Sequence, residues 1–259
     1  MIKVRPFQLP VLRRLLPVVG LALFATIGAS AQTLGLAGEP AKNAAMEKLF
    51  GGNTSFSARA EFRILDRNQK ETDFMPVTYS SLDGQVRMEI DMSQIKSAEE
   101  PALAPTALKQ LSMDQTVIIT RPDKKLTYSI FPRAKAYAEI PMNKDEAAAM
   151  AINFKIDKTP LGKETVDGHA CDKAKVVLTT EKGLKEEATV WTAPDLKDFP
   201  VQIQMTADSS GTVMVKFRNV KLGKPDANLF EPGTGLTKYD TVEALRDALV
   251  KAASPTARK

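Results

Sequence analysis

The chain has 259 residues, of which 43% are hydrophobic, and carries 36 basic against 31 acidic side chains. That length is enough for one sizeable core. The formal charge of +5 does not mark a nucleic-acid binder: four of the positives are Lys3, Arg5, Arg13 and Arg14, and the remainder balances at 32 basic to 31 acidic. A near-neutral body exerts no long-range pull on a polyanion, and no basic stripe with interleaved aromatics is present, so nucleic acid is excluded as a partner.

Residues 1–31 combine a basic start, an apolar run from Leu15 to Ala29 and the small-residue exit Ala29-Ser30-Ala31. This is the pattern of a cleavable secretory signal peptide. The run is broken by Pro17 and Gly20 and is shorter than the roughly 20 residues that span a bilayer. Periplasmic or secreted localisation without a permanent membrane anchor is therefore expected. With Cys171 as the single cysteine no internal disulfide can form, and an unpaired thiol in an oxidising compartment is expected to be buried.

After a loose segment from Gln32 to Glu39, Pro40 opens a predicted helix running to Phe50, with Met46, Leu49 and Phe50 on one face and Gly51-Gly52 as its stop. The period then changes to two. Phe56, Ala58, Ala60, Phe62 and Ile64 alternate with polar residues, which predicts a strand with one dry face. A second strand is expected over Thr72–Ser81, then an Asp83-Gly84 hairpin and a third strand with Val86, Met88, Ile90 and Met92 inward. Residues 93–114 read as an excursion containing one short helix, either a lid over the groove or an ordinary long insertion. Strands follow at 115–120, 126–131 and 135–140, the first two joined by a turn at Arg121-Pro122-Asp123-Lys124. A helix is expected at 143–151, capped by Asn143 with Glu146 three residues on.

Further strands are expected at 173–180, 186–192, 201–207 and 212–220, with Ile203 and Met205 inward. Asp240, with Glu243, is expected to cap a final helix over 241–252. The expected organisation is a signal peptide at 1–31, a linker and helix at 32–54, a sheet domain at 55–239, a helix at 240–253 and a tail at 254–259. About ten strands with marginal helices predict a mainly β fold built on one large antiparallel sheet, open or barrel-like, with one face in water.

Three segments also carry a resemblance. They are Gly162-Lys163-Glu164-Thr165-Val166-Asp167-Gly168-His169-Ala170-Cys171, then Val190-Trp191-Thr192-Ala193-Pro194-Asp195-Leu196-Lys197-Asp198-Phe199-Pro200-Val201, then Asn228-Leu229-Phe230-Glu231-Pro232. Across residues 115–240 the chain resembles uncharacterised bacterial exported proteins related to the LolA/LolB lipoprotein-carrier superfamily. The resemblance implies a LolA-like open half-barrel, a single curved antiparallel sheet with helices on its concave face. It also implies a role among lipid carriers or envelope stress sensors. With 16 aromatic residues in the whole chain, methionine and small aliphatics are expected to fill the inward positions.

No catalytic constellation emerges. His169 and Cys171 lie two apart, but no orienting third group or oxyanion pocket is visible, and two ligands are too few for a closed zinc site. Ser93-Gln94-Ile95-Lys96 matches Ser-x-x-Lys without the partner motifs of penicillin-binding enzymes. Gly233-Thr234-Gly235 has no third glycine and reads as a loop, not a phosphate cradle. No enzyme activity, metal or cofactor is expected. Thioether side chains suit irregular apolar surfaces, so the expected function is an exported binding module. It would hold a lipid, an acyl chain or another hydrophobe against Phe62, Met88, Ile90, Met92, Ile203 and Met205. The alternative is an interaction or sensor module with a filled core and an envelope protein as partner.

Overall fold

The alternation in residues 56–64 is realised as β1 (Ser55–Leu65), which buries Phe56, Ala58, Ala60, Phe62 and Ile64. The computed structural model describes residues 40–98, 105–207 and 211–253. The expected signal peptide at 1–31, the segment 32–39, the middle of the 93–114 excursion and the expected tail at 254–259 lie outside the described residues. β1 is followed by β2 (Glu71–Leu82), β3 (Gln85–Asp91), β4 (Lys96–Ser97), β5 (Gln115–Arg121), β6 (Leu126–Phe131) and β7 (Ala136–Pro141). Then come β8 (Phe154–Val166), β9 (His169–Thr180), β10 (Lys185–Ala193), β11 (Phe199–Ala207), β12 (Gly211–Leu222) and β13 (Thr237–Tyr239). The described helices are α1 (Pro40–Lys48), α2 (Pro105–Gln110), α3 (Lys144–Met150) and α4 (Val242–Ala253).

All the described strands join one sheet, in the order β13-β7-β6-β5-β3-β2-β1-β12-β11-β10-β9-β8, with β4 added beside β2. Every pairing is antiparallel except β13 on β7. The outermost strands, β13 and β8, do not meet, so the sheet is open. Local chemistry sets its turns. Asp83 and Gly84 take φ of 47° and 91° in the β2–β3 hairpin, the left-handed pair that a two-residue connection requires. Three Pro-x-x-Lys segments repeat one turn. Pro122, Pro132 and Pro194 each start a 3-10 turn that ends in a left-handed lysine, Lys125, Lys135 or Lys197.

Cross-strand partners carry the inner face from strand to strand. Ala60 sits opposite Val77 on β2 and Phe217 on β12, Val77 opposite Ile90 on β3, and Val215 opposite Ile203 on β11. The helices share this face. Leu245 of α4 and Leu108 of α2 are buried with Phe131, Ala136 and Ala138, while α1 and α3 lie side by side over β1, β2 and β3.

The outer face departs from the expectation of a wholly wet surface. Val117 and Ile119 of β5 and Tyr128 and Ile130 of β6 form a second, outward cluster closed by Phe230. Phe230 belongs to a strap, residues 223–236, that leaves β12 and crosses the back of the sheet to reach β13. Two arginines hold it: Arg87 donates to the Leu229 carbonyl at 2.9 Å and Arg121 to the Phe230 carbonyl at 2.9 Å.

Other differences have local causes. β4, β8 and β13 were not among the expected strands. β8 is an edge strand exposed along both faces, so it has no reason to alternate, and its Pro160 and a bulge before Gly162 are tolerated at an edge. β3 ends at Asp91, whose carboxylate accepts from the Ser93 N–H at 3.0 Å and starts a 3-10 turn at Met92. Met92 is therefore half-buried in that turn rather than inward on a strand. The capping box of α3 forms as expected at Asn143 and Glu146. In α4 the cap is Thr241, not Asp240: its hydroxyl accepts from the Ala244 N–H at 3.0 Å, one residue later because Tyr239 is still paired with β7.

Candidate functional site

The end of α1 positions the site. Gly51, at φ 58°, turns the chain out of the helix, and the Asn53 side-chain amide donates to the carbonyl of Lys197 at 3.1 Å. Phe50 is thereby lowered onto the sheet. Its ring centroid lies 5.0 Å from Phe56, 5.7 Å from Phe199 and 5.4 Å from Phe217. Tyr79 stacks on Phe56 at 5.6 Å. These five rings qualify the expectation that methionine and small aliphatics fill the inward positions, since the few aromatics are concentrated where α1 docks.

Two cavities flank this cluster. The inner one, about 120 Å³, is bounded by Met46 of α1, Met88 of β3 and Met150 of α3, with Phe62, Thr120 and Phe217. The outer one, about 220 Å³, has a polar rim of Lys48, Asn53, Thr54 and Ser81. Glu47, Phe50, Tyr79 and Val86 border both, so the two adjoin along one wall and form one cleft, polar-rimmed at one end and thioether-lined at the other. Glu47 is exposed, yet partial burial pushes its carboxyl above the ordinary range, with Lys48 opposing. No described residue makes a hydrogen bond or ion pair with that carboxylate. Burial, and then the charge of Glu47, pushes the Tyr79 hydroxyl strongly upward, keeping it protonated.

Of the residues singled out from the sequence, Phe62 and Met88 stand on the inner cavity. Ile90, Ile203 and Met205 are buried in the main core and border neither cavity, and Met92 packs between that core and the α4 cluster. Sequence reasoning missed Met150, Tyr79 and Glu47. Met46 was visible as part of the apolar face of α1, whereas Met150 ends an alanine-rich helix with no distinguishing pattern.

The thiol chemistry considered earlier finds no dyad. The buried Cys171 donates its S–H to the His169 carbonyl at 3.4 Å, while the His169 ring pairs with Asp195 at 2.7 Å. Burial raises the thiol further from ionisation, as do the nearby carboxylates of Asp195, Asp172 and Glu164. The Ser93 hydroxyl is bonded to Asp91 at 2.6 Å, and the Lys96 ammonium lies 5.6 Å from the Phe74 ring centroid. Among the described residues no group of three or more His, Cys, Asp or Glu gathers as a metal site. No described helix is long and apolar enough to cross a membrane.

The family model described as a domain of unknown function, DUF4412, matches residues 74–220. The chain belongs to the DUF4412 family. The matched DUF4412 segment runs from β2 into β12, beginning well before residue 115. No curated protein matches the chain. Among solved structures the DUF4412 chain is similar to LprF from Mycobacterium bovis, at 11% identity and TM-score 0.38, covering 72% of this chain and 96% of that one. It is also similar to a LolA superfamily protein from Nitrosomonas europaea, at 16% identity and TM-score 0.31, covering 78% and 97%. A third is the MucA/MucB complex of Pseudomonas aeruginosa, at 11% identity and TM-score 0.36, covering 76% and 62%.

Proposed function

We propose that this chain is an exported binding module that holds an apolar ligand in the cleft between α1, α3 and the inner face of the sheet, without catalysis. The observation that carries the reading is the convergence of Met46, Met88 and Met150, from three separate elements, on one cavity beside a polar-rimmed one. Flexible, polarizable thioethers accommodate chains of varied shape. The inner cavity, at about 120 Å³, is below the roughly 300–1,000 Å³ of a typical ligand site. A whole acyl chain therefore enters only as α1 and α3 move apart, and both are short helices lying over the sheet.

Two measurements test this. Native mass spectrometry of protein purified from its own envelope should show a mass excess that extracts into organic solvent. N-phenyl-1-naphthylamine, an apolar fluorophore, should brighten with the wild type and not with Met88→Trp, in which the indole fills the inner cavity. A clean apo mass together with equal fluorescence in both proteins would overturn the reading. The second reading is an interaction module with a filled core. The five-ring cluster favours it, because those rings leave the inner face beneath Phe50 closed.

A further inference from the structure

Glu47 is the one carboxylate on the wall shared by the two cavities. Its neighbours there are the rings of Phe50 and Tyr79 and the side chain of Val86, none of which is a cation. Lys48, the next residue, borders only the outer cavity and forms no ion pair with it. Glu47 is exposed, so water reaches its carboxylate, and partial burial among these apolar neighbours still pushes the group upward. The nearest structural contrast is Glu61 on the outer face, which takes bonds from Arg63 at 2.9 Å and Arg218 at 3.0 Å. Glu61 thus has two arginines, and Glu47 has none among the described residues.

We propose that Glu47 selects the ligand: the cleft takes amphiphiles whose head carries a protonated amine, seated against Glu47, with the apolar tail directed toward Met46, Met88 and Met150. The inference rests on the cleft being the ligand site. The geometry suits it, because Glu47 lies between the polar-rimmed and the thioether-lined ends of the cleft, as the head–tail junction of an amphiphile would. The inner cavity, about 120 Å³, takes the end of a tail as it stands; the rest of the tail, like the fluorophore, enters as α1 and α3 move apart. A charge-assisted N–H···O bond is roughly twice as strong as a neutral one, so an amine should be preferred to an alcohol on the same tail.

The experiment compares three probes of one tail length, decylamine, decanol and decanoate, each below its micelle concentration. Each is titrated as a competitor of N-phenyl-1-naphthylamine at neutral pH. In the wild type, decylamine should displace the fluorophore at about one-tenth the concentration decanol needs, with decanoate weakest. In Glu47→Gln the amine advantage should vanish while decanol is unchanged, and an unchanged thermal midpoint would show the fold intact. Equal potency of decylamine and decanol in the wild type would overturn the proposal while leaving the cleft reading standing. So would an amine advantage that survives in Glu47→Gln. If none of the three displaces the fluorophore from the wild type, the cleft reading falls and this inference with it.

Discussion

Arg121 and Phe230, 109 positions apart in sequence, are joined by a 2.9 Å bond from the guanidinium to the Phe230 carbonyl. Arg121 is buried, and it also binds Asp123 through both carboxylate oxygens, at 2.9 and 2.7 Å, and pairs with Glu231. Replacing it with leucine leaves that carbonyl buried and unpaired. Arg121→Leu should cost about 3 kcal/mol in urea denaturation. Lys124→Ala removes only an exposed partner of Glu231 and should cost less than about 1 kcal/mol. Equal losses would mean that the strap is held by something other than Arg121.

Acid should loosen the strap first. The Arg121 hydrogen bond holds the Asp123 carboxyl below its ordinary range. Glu231 is desolvated, which alone would raise it, but bonds from Lys124 and Arg121 outweigh that and hold it low as well. Carboxylates depressed in the folded state stabilise it above their unfolded pKa, about 4, and the benefit is lost as pH falls through the lower folded values. Protection factors of the amides at residues 223–236, taken against the intrinsic exchange rate at each pH, should fall below about pH 4 while those of β1 hold. Simultaneous loss of protection in both would contradict a local effect.

Side chains of the aromatic cluster and of the cleft should respond differently to truncation. Phe56 is fully buried among four other rings, so Phe56→Ala should cost about 3–5 kcal/mol. Met88 is half-buried and already borders open space, so Met88→Ala should cost about 1–2 kcal/mol. Urea midpoints of the two variants check this. A Met88 cost as large as that of Phe56 would mean that the inner cavity is packed tight in solution.

Cys171 should be inert in the folded protein. It is almost wholly buried, and its raised pKa keeps the nucleophilic thiolate scarce. Iodoacetamide at mildly alkaline pH should leave the native protein unmodified and label it fully in denaturing urea, as read by intact mass. Rapid native labelling would reopen a thiol chemistry.

Much of this architecture was legible because burial on one face imposes a period. β1, β6 and β11 could be read almost to the residue, since Phe56–Ile64, Leu126–Phe131 and Val201–Ala207 each sit in a strand with a dry side. β8 was hidden for the converse reason: with solvent on both faces, Lys155, Ile156, Asp157 and Lys158 obey no alternation. Asn228–Pro232 stands out in the sequence, but nothing local to it says that its phenylalanine seals the back of strands a hundred residues earlier. The site was half legible. Met88 and Phe62 follow from strand parity, whereas the contributions of Glu47 and Met150 depend on how α1 and α3 lie across the sheet. That placement is set by tertiary packing, not by either helix's own residues.

β1 stands in the middle of the sheet, with β2 on one flank and β12 on the other. The first neighbour is complete at Leu82, but the second begins only at Gly211. A growing polypeptide therefore emerges with half its sheet assembled and the flank of β1 bare until residue 222 has been synthesised. Closing a loop of that length before any reward is collected is slow. Fragments ending before β12 should accordingly stick to one another through that naked margin, and the full-length chain should refold with a late, rate-limiting zipping of its two halves.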